Sequence, residues 1–259
     1  MSVVQTHRDG DLLFVRLDSA DKANALSPAM IDEIVAVYEH DQLGDGVRAV
    51  LLSAEGKHFS AGADLAHLRS LRDAGAEENR RDSENLRRLF ESVLRQPALT
   101  VAMVQGSCVA GGCGLATAHD FVVAAEDARF LYSEVKIGFV AALVATFLPL
   151  RLAGRDVREA LLNPQFLGAE EALEIGLVNR VAPAGELEAR GRALAEEVLA
   201  NGSSTSIAAT KRLLLDLVGR DLDTALGLAV EVNAAARATD DCKRGIAHVL
   251  DHKKPPVWR

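Results

Sequence analysis

Leu99-Thr100-Val101-Ala102-Met103-Val104-Gln105-Gly106-Ser107-Cys108-Val109-Ala110-Gly111-Gly112-Cys113-Gly114-Leu115 runs from a β-rich apolar segment through a cluster of small residues into an apolar helix start. Pro97 introduces the apolar run, which reads as a buried strand. The small residues let another group approach the backbone closely, and the first N–H groups of the helix have no partner within it. The glycines are not a P-loop, because no Lys-Ser or Lys-Thr follows them. Their spacing is not that of a dinucleotide fingerprint either. What remains is a strand-to-helix turn that presents a backbone donor.

Outward from this turn the pattern repeats. Val47 to Ser53 and Phe121 to Ala125 are further apolar runs of strand length. Leu12 to Leu17 follows the turn Asp9-Gly10-Asp11 and pairs as a hairpin with Val3 to His7. Ser27-Pro28 caps a helix expected to run to about Leu43. Strands separated by helices imply an α/β core with largely parallel pairing. Leu86, Leu89, Phe90, Val93 and Leu94 form one stripe, so Ser83 to Arg95 is expected as a helix. Arg69 to Asp82 is expected to be exposed, and could be mobile. From Glu186 onward strand signals stop, and four helices are expected: Glu186 to Leu199, Ser203 to Leu217, Leu222 to Ala236 and Asp240 to Leu250. The expected division is a core over residues 1–185 and a helical region over 186–259, the latter needing a partner surface.

Composition narrows the function classes. A chain of 259 residues suits one sizeable core. The formal net charge of -8 disfavours general nucleic-acid binding, which needs clustered Lys and Arg. No apolar run approaches the ~18 residues of a membrane span, and Met1 to Asp11 lacks the apolar core of a signal peptide. Cys108, Cys113 and Cys242 give no disulfide framework; Cys108 and Cys113, in a small-residue apolar stretch, are expected as buried free thiols, and a reducing cytoplasm is expected. No metal-ligand pattern is present in the sequence.

Two more passages carry chemistry. Phe59-Ser60-Ala61-Gly62-Ala63-Asp64-Leu65 follows the Val47 strand and opens a helix. Alone it also fits an ordinary turn; as a second small-residue turn before a helix it offers a second donor to a developing oxyanion. In Ala128-Arg129-Phe130-Leu131-Tyr132-Ser133-Glu134-Val135-Lys136-Ile137-Gly138-Phe139, Glu134 lies among apolar residues. Burial would raise its pKa and make it a usable base and acid near neutral pH. The alternative is an exposed Glu134, or one paired with Lys136 or Arg129.

Together these passages resemble the crotonase superfamily, specifically its enoyl-CoA hydratase/isomerase members. Asn24-Ala25-Leu26 resembles an early turn of that family. Ser60 to Leu65 and Ala110-Gly111-Gly112 resemble its two oxyanion-hole motifs, and Ser133 to Gly138 the stretch with a catalytic Glu. Ala169 to Val181 resembles the segment that closes the core, and Lys253-Lys254-Pro255-Pro256 the basic ending. The resemblance implies a crotonase-like α/β spiral of ββα units whose C-terminal helices make trimer contacts, often within hexamers. It implies an acyl-CoA thioester as substrate and no separate cofactor, the substrate itself carrying coenzyme A. Ala63 and Gly111 map onto the N–H donors for the thioester oxygen, and Glu134 onto the proton-moving Glu. Ala61, Ala63, Asp64, Leu65, Ala66 and Gly111 would line the CoA side, with Lys22, Lys253 and Lys254 as candidates for its phosphates.

One position departs from the pattern. Hydratases of the family carry a second Glu just after the Gly-Gly motif; here it is Gly114. The usual Pro-Gly-rich turn downstream is replaced by Val140-Ala141-Ala142-Leu143-Val144. Asp120 is expected to be structural and His119 packed or solvated. Tyr132 and Ser133 could orient a water, and Glu78, Asp82 and Glu84 could fold over the site. Overall resemblance favours hydration of a trans-2-enoyl-CoA. A single Glu134 also suits 3-enoyl to 2-enoyl isomerisation, and a non-catalytic acyl-CoA-binding scaffold is the alternative of another class.

Overall fold

The structure, a computed structural model, describes residues 2–183 and 185–258. In chain order its elements are β1 (Val4–Asp9), β2 (Leu12–Leu17), α1 (Pro28–Glu39), β3 (Ala49–Ala54), α2 (Leu65–Leu71), α3 (Ala76–Arg95), β4 (Leu99–Val104), β5 (Ser107–Val109), α4 (Gly111–Thr117), β6 (Phe121–Ala125), β7 (Arg129–Leu131), α5 (Val144–Phe147), α6 (Gly154–Leu162), β8 (Leu167–Gly168), α7 (Ala169–Glu174), β9 (Arg180–Ala182), α8 (Leu187–Asn201), α9 (Ser204–Asp216), α10 (Leu222–Ala238) and α11 (Asp240–His252). A six-stranded sheet has the order β1-β2-β3-β4-β6-β9, antiparallel only between β1 and β2. A small second sheet has the order β5-β7-β8.

The large sheet is buried on both faces, which is why its central strands read as unbroken apolar runs rather than alternating ones. Val50, Leu52, Ala102 and Val104 face a core shared with α1, α3 and α4. Ala49, Leu51, Leu99, Val101 and Met103 face the other way, against Leu194, Ala195 and Leu199 of α8. α8, the first helix of the region expected over 186–259, thus covers that face of the sheet. α9 still touches the core, through Ile207 and through Lys211 Nζ on Ala98 O and Asp120; the helices that stand away from it begin at α10. α10 and α11 contain no buried residue and expose Leu222, Leu226, Val230, Ile246, Val249 and Leu250.

The chain winds as successive ββα turns. A long strand is followed by a short one in the second layer, then by a helix: β4-β5-α4 and β6-β7 leading to a 3-10 turn over Glu134–Ile137. After β3, Ser60 takes the place of the short strand, bridging in parallel to Cys108 before α2 begins. Cys108 in turn pairs with Phe130. Ser60, Cys108 and Phe130 thus form one row across the second layer.

Two expectations shift. α1 ends at Glu39 rather than near Leu43, because His40 turns extended and the Gln42 side chain folds back to donate to Val37 O at 2.8 Å. The segment 69–82, to which the sequence assigned no helix, is mostly helix: α2 ends at Leu71, and Gly75 caps α3, whose first turn carries Glu77 and Glu78 beside its positive end. Its expected exposure holds.

Candidate functional site

The row Ser60–Cys108–Phe130 places the chemistry. Ala63 lies three residues beyond Ser60, Gly111 three beyond Cys108 and Glu134 four beyond Phe130. Each sits where the chain leaves the second layer. Ser60 N donates to Ser107 O and Val109 N to Ser60 O, at 3.3 and 2.9 Å, tying the first two turns together. Ala110 N donates to Leu131 O at 2.7 Å and ties the second to the third.

The first turn is held from beneath by Asn24. This buried residue adopts a left-handed conformation at φ +50, which Asn tolerates better than most side chains. Its Nδ2 donates to the carbonyls of Glu55 and His58, both at 2.9 Å, and its Oδ1 accepts from Ser19 N. Its own carbonyl accepts from Ser60 Oγ at 2.8 Å, and Gly62 N donates to the same hydroxyl. Gly62 has φ +83, and a Cβ there would stand 2.7 Å from Val109 O. The position therefore accepts only glycine, and the two turns touch through it. Ala110, the N-cap of α4, holds φ 48 and ψ -120. Such a conformation costs a non-glycine residue about 1–3 kcal/mol, and it sets the direction of the Gly111 N–H. Among the described residues neither Ala63 N nor Gly111 N has a hydrogen-bond acceptor. Both are free to donate to a ligand oxygen.

Glu134 is buried, and its Oε2 has no hydrogen-bond partner among the described residues. It forms no ion pair there, so the alternatives with Lys136 or Arg129 are not realised. Burial raises its pKa above the usual glutamate value, partly opposed by the backbone N–H groups of Glu134 and Ser133. A desolvated carboxylate with one oxygen unpartnered, on the turn next to the one that carries the free Gly111 N–H, is equipped to move a proton at a carbon whose neighbouring carbonyl becomes an oxyanion.

The position of the expected second carboxylate is occupied by apolar atoms. A Cβ on Gly114 would lie 2.7 Å from Phe90 Cζ and 2.8 Å from Val144 Cγ2. Most of the substitute candidates are engaged elsewhere, Ser133 and Glu78 excepted. Tyr132 is buried with its hydroxyl 3.5 Å from Thr117 Oγ1. His119 Nδ1 donates to Leu115 O and its Nε2 meets the Tyr38 hydroxyl at 2.7 Å. Burial lowers its pKa to about 3. Asp120 receives Thr100 N, Thr100 Oγ1 and Lys211 Nζ at 2.7, 2.9 and 2.6 Å. Asp82 pairs with His67 and Glu84 with Arg87, and Glu78 is exposed.

Asp64 caps α2 through His67 N, which directs Ala61, Leu65 and Ala66 to the exposed rim of the first turn. Lys22 is exposed one residue before Ala23, whose carbonyl accepts from Ala61 N at 2.9 Å, so it borders that rim. Lys253 follows α11, and no hydrogen bond or ion pair among the described residues joins it to the three turns. Phe90, Val144 and the strained Ala110 were not foreseen as site residues. Phe90 was visible only as one member of the α3 stripe. Among the described residues there is no cluster of His, Cys, Asp and Glu suited to a metal ion, and no helix long and apolar enough to cross a membrane.

Comparison with known proteins agrees with this arrangement. The family model for enoyl-CoA hydratase/isomerase matches residues 8–259. A Thermus thermophilus protein named "Putative enoyl-CoA hydratase" is 46% identical, over 95% of this chain and 97% of its own length. The peroxisomal Delta(3,5)-Delta(2,4)-dienoyl-CoA isomerase of Arabidopsis thaliana is 26% identical, over 98% of this chain and 95% of its own. The crystal structure of an enoyl-CoA hydratase from Mycobacterium smegmatis superposes with a TM-score of 0.90 at 27% identity, covering 100% of this chain and 99% of that one. With the ββα spiral, the paired donor turns and a match along nearly its whole length, the chain belongs to the enoyl-CoA hydratase/isomerase family of crotonase-fold enzymes, which act on acyl-CoA thioesters.

Proposed function

We propose that this protein hydrates a trans-2-enoyl-CoA, with Glu134 as its one acid–base group. The reading rests on the buried, unpartnered Oε2 of Glu134 together with the free N–H groups of Ala63 and Gly111 on the two turns tied to its own. The Glu134 carboxylate takes a proton from water as the water oxygen bonds to the β-carbon. The electron pair of the double bond moves through the α-carbon onto the thioester oxygen, held by the two N–H groups. The Glu134 acid then returns a proton to the α-carbon as the carbonyl re-forms. Each N–H donor is expected to contribute about 3 kcal/mol to the transition state. Ala61, Asp64, Leu65, Ala66 and Lys22 border the coenzyme A moiety in this reading. The exposed apolar faces of α10 and α11 support a homo-oligomer, a trimer or a hexamer of two trimers. The net charge and the cysteine usage fit a cytoplasmic enzyme with no cofactor beyond the coenzyme A of its substrate.

A second reading, 3-enoyl to 2-enoyl isomerisation, draws on the packing around Gly114. No second carboxylate stands there to share a water with Glu134, and isomerisation needs only one base to carry a proton from the α- to the γ-carbon. Absorbance assays with crotonyl-CoA and 3-hexenoyl-CoA, on wild type and Glu134→Gln, separate the two. Rapid loss of the conjugated enoyl signal from crotonyl-CoA, abolished in the variant, supports hydration. Turnover of 3-hexenoyl-CoA alone replaces it with isomerisation. Inactivity toward both, with acyl-CoA binding retained, leaves a binding scaffold and overturns both.

A further inference from the structure

Gly114 lies one turn beyond Gly111 on α4, so the two share a face. Helix side chains lean toward the N-terminus, so whatever fills the Cβ direction of Gly114 stands over Gly111, where the thioester carbonyl docks in the reading above. The atoms found there are Phe90 Cζ and Cε1 and Val144 Cγ2. Phe90 is 3% exposed and stacks edgewise on Phe147, with ring centroids 5.5 Å apart. Phe90 also lines a cavity of about 290 Å³ among α3, α5 and α9, together with Leu94, Leu143, Phe147, Leu150 and Leu215 and the charged Arg87, Glu91 and Arg95. The one residue thus touches both the floor of the site and an open, largely apolar cavity.

We propose that Phe90 is the specificity-determining wall of the acyl pocket, restricting the enzyme to short acyl chains by closing off the cavity behind it. This inference rests on the placement of the thioester carbonyl at Ala63 and Gly111, and not on which reaction follows. The occupant excluded is the distal part of a longer, unbranched acyl chain. Opening the wall would let that chain enter the cavity, where each buried methylene is worth about fourfold in affinity. Two methylenes reaching it change the relative affinity by about tenfold or more.

The test is calorimetric binding of butyryl-CoA and octanoyl-CoA, both saturated and unreactive, to wild type, Phe90→Ala and Phe90→Leu. Wild type is expected to bind butyryl-CoA at least as tightly as octanoyl-CoA. Phe90→Ala is expected to shift the ratio toward octanoyl-CoA by tenfold or more, and Phe90→Leu by a smaller factor in the same direction. If Phe90→Ala does not fold, Phe90→Leu, which keeps most of the core contact, decides the matter. A wild type that already prefers octanoyl-CoA tenfold, folded variants with an unchanged ratio, or no binding of either thioester overturns the inference. A parallel crotonyl-CoA assay keeps the two readings apart. The expected ratios together with no hydration would sink the hydratase reading and leave the wall standing.

Discussion

Replacing Gly112 by alanine should damage catalysis far more than folding. A Cβ at Gly112 would lie 2.8 Å from Ser60 Cβ, 2.9 Å from Ser60 Oγ and 3.0 Å from Ser60 O. Non-bonded carbons settle at about 3.5–4.0 Å, so the two donor turns must separate by roughly 1 Å. Ser60 has little room to yield, since its hydroxyl is engaged by Asn24 O and Gly62 N. Displacement on this scale costs about 10²-fold in rate, equivalent to about 2.7 kcal/mol of transition-state stabilisation. Overpacking costs about 1–3 kcal/mol of stability, partly offset by the ~1 kcal/mol that alanine gains over glycine within a helix. At about 2–4 °C per kcal/mol for a chain of this size, the melting temperature falls by only a few degrees. The assay pairs thermal melts with kcat/KM on the preferred enoyl-CoA. Gly154→Ala serves as control, because its Cβ meets nothing within 4 Å. A Gly112→Ala enzyme that keeps its activity within twofold would refute the idea that contact between these turns sets the donor geometry.

Three further outcomes follow from buried ionisable groups. Because burial raises the Glu134 pKa, the acidic limb of kcat/KM should lie above the ordinary glutamate range near 4.3; a limb at or below that value would mean Glu134 is solvated when active. The same shift acts on stability: a raised carboxyl pKa favours the fold while protonated, and this is lost as pH rises from the unfolded value through the folded one. Glu134→Gln should therefore match wild type near pH 4 and melt at a higher temperature than wild type at pH 8, and a lower Tm at pH 8 would contradict the absence of a partner for Oε2. His119 works in the opposite sense. Its pKa is lowered from 6.5 to about 3 by burial, so its contribution is present above pH 6.5 and is lost as the unfolded chain takes up a proton below it. The loss amounts to about 2 kcal/mol between pH 6.5 and 5. Denaturant melts should show this slope in wild type and a flatter one in His119→Gln; equal slopes would place the acid sensitivity elsewhere.

What could be read in advance follows the range of the forces involved. Long apolar runs such as Val47 to Ser53 and Phe121 to Ala125 carry their own signal, because both faces of those strands are buried. Ser27 was legible as a cap because the bond it accepts, from Met30 N at 3.2 Å, is local. The strands β5, β7, β8 and β9 were not, since two or three residues are too few to show a period and their pairing is set by the spiral around them. The helices over 69–82 were hidden by a charged sequence in which exposure and mobility look alike. The donor turns were legible as small-residue clusters, and resemblance gave them their role. The missing second carboxylate was plain from Gly114. Its replacement by Phe90 and Val144 was not, because those residues come from α3 and α5, some 24 and 30 positions away in the sequence.

The spiral explains why one register contact can govern three functional groups. Each turn of the chain delivers a new helix start at the same edge of the second layer, and Ser60, Cys108 and Phe130 align those starts as neighbours. In the proposed reading the backbone supplies the oxyanion donors, and side chains are needed only to move protons and shape the pocket. A fold of this kind keeps its enolate-stabilising part under almost any side-chain change that leaves the small residues of the two donor turns intact. Chemistry then varies at the positions that look onto those donors. Here one of them, Glu134, is a carboxylate whose pKa burial raises above the usual glutamate value. The other, Gly114, has given up its side chain to an aromatic wall. Restoring a carboxylate at Gly114 alone would drive its Cβ into Phe90 at 2.7 Å, so the second acid–base group and the wall are mutually exclusive solutions for the same space.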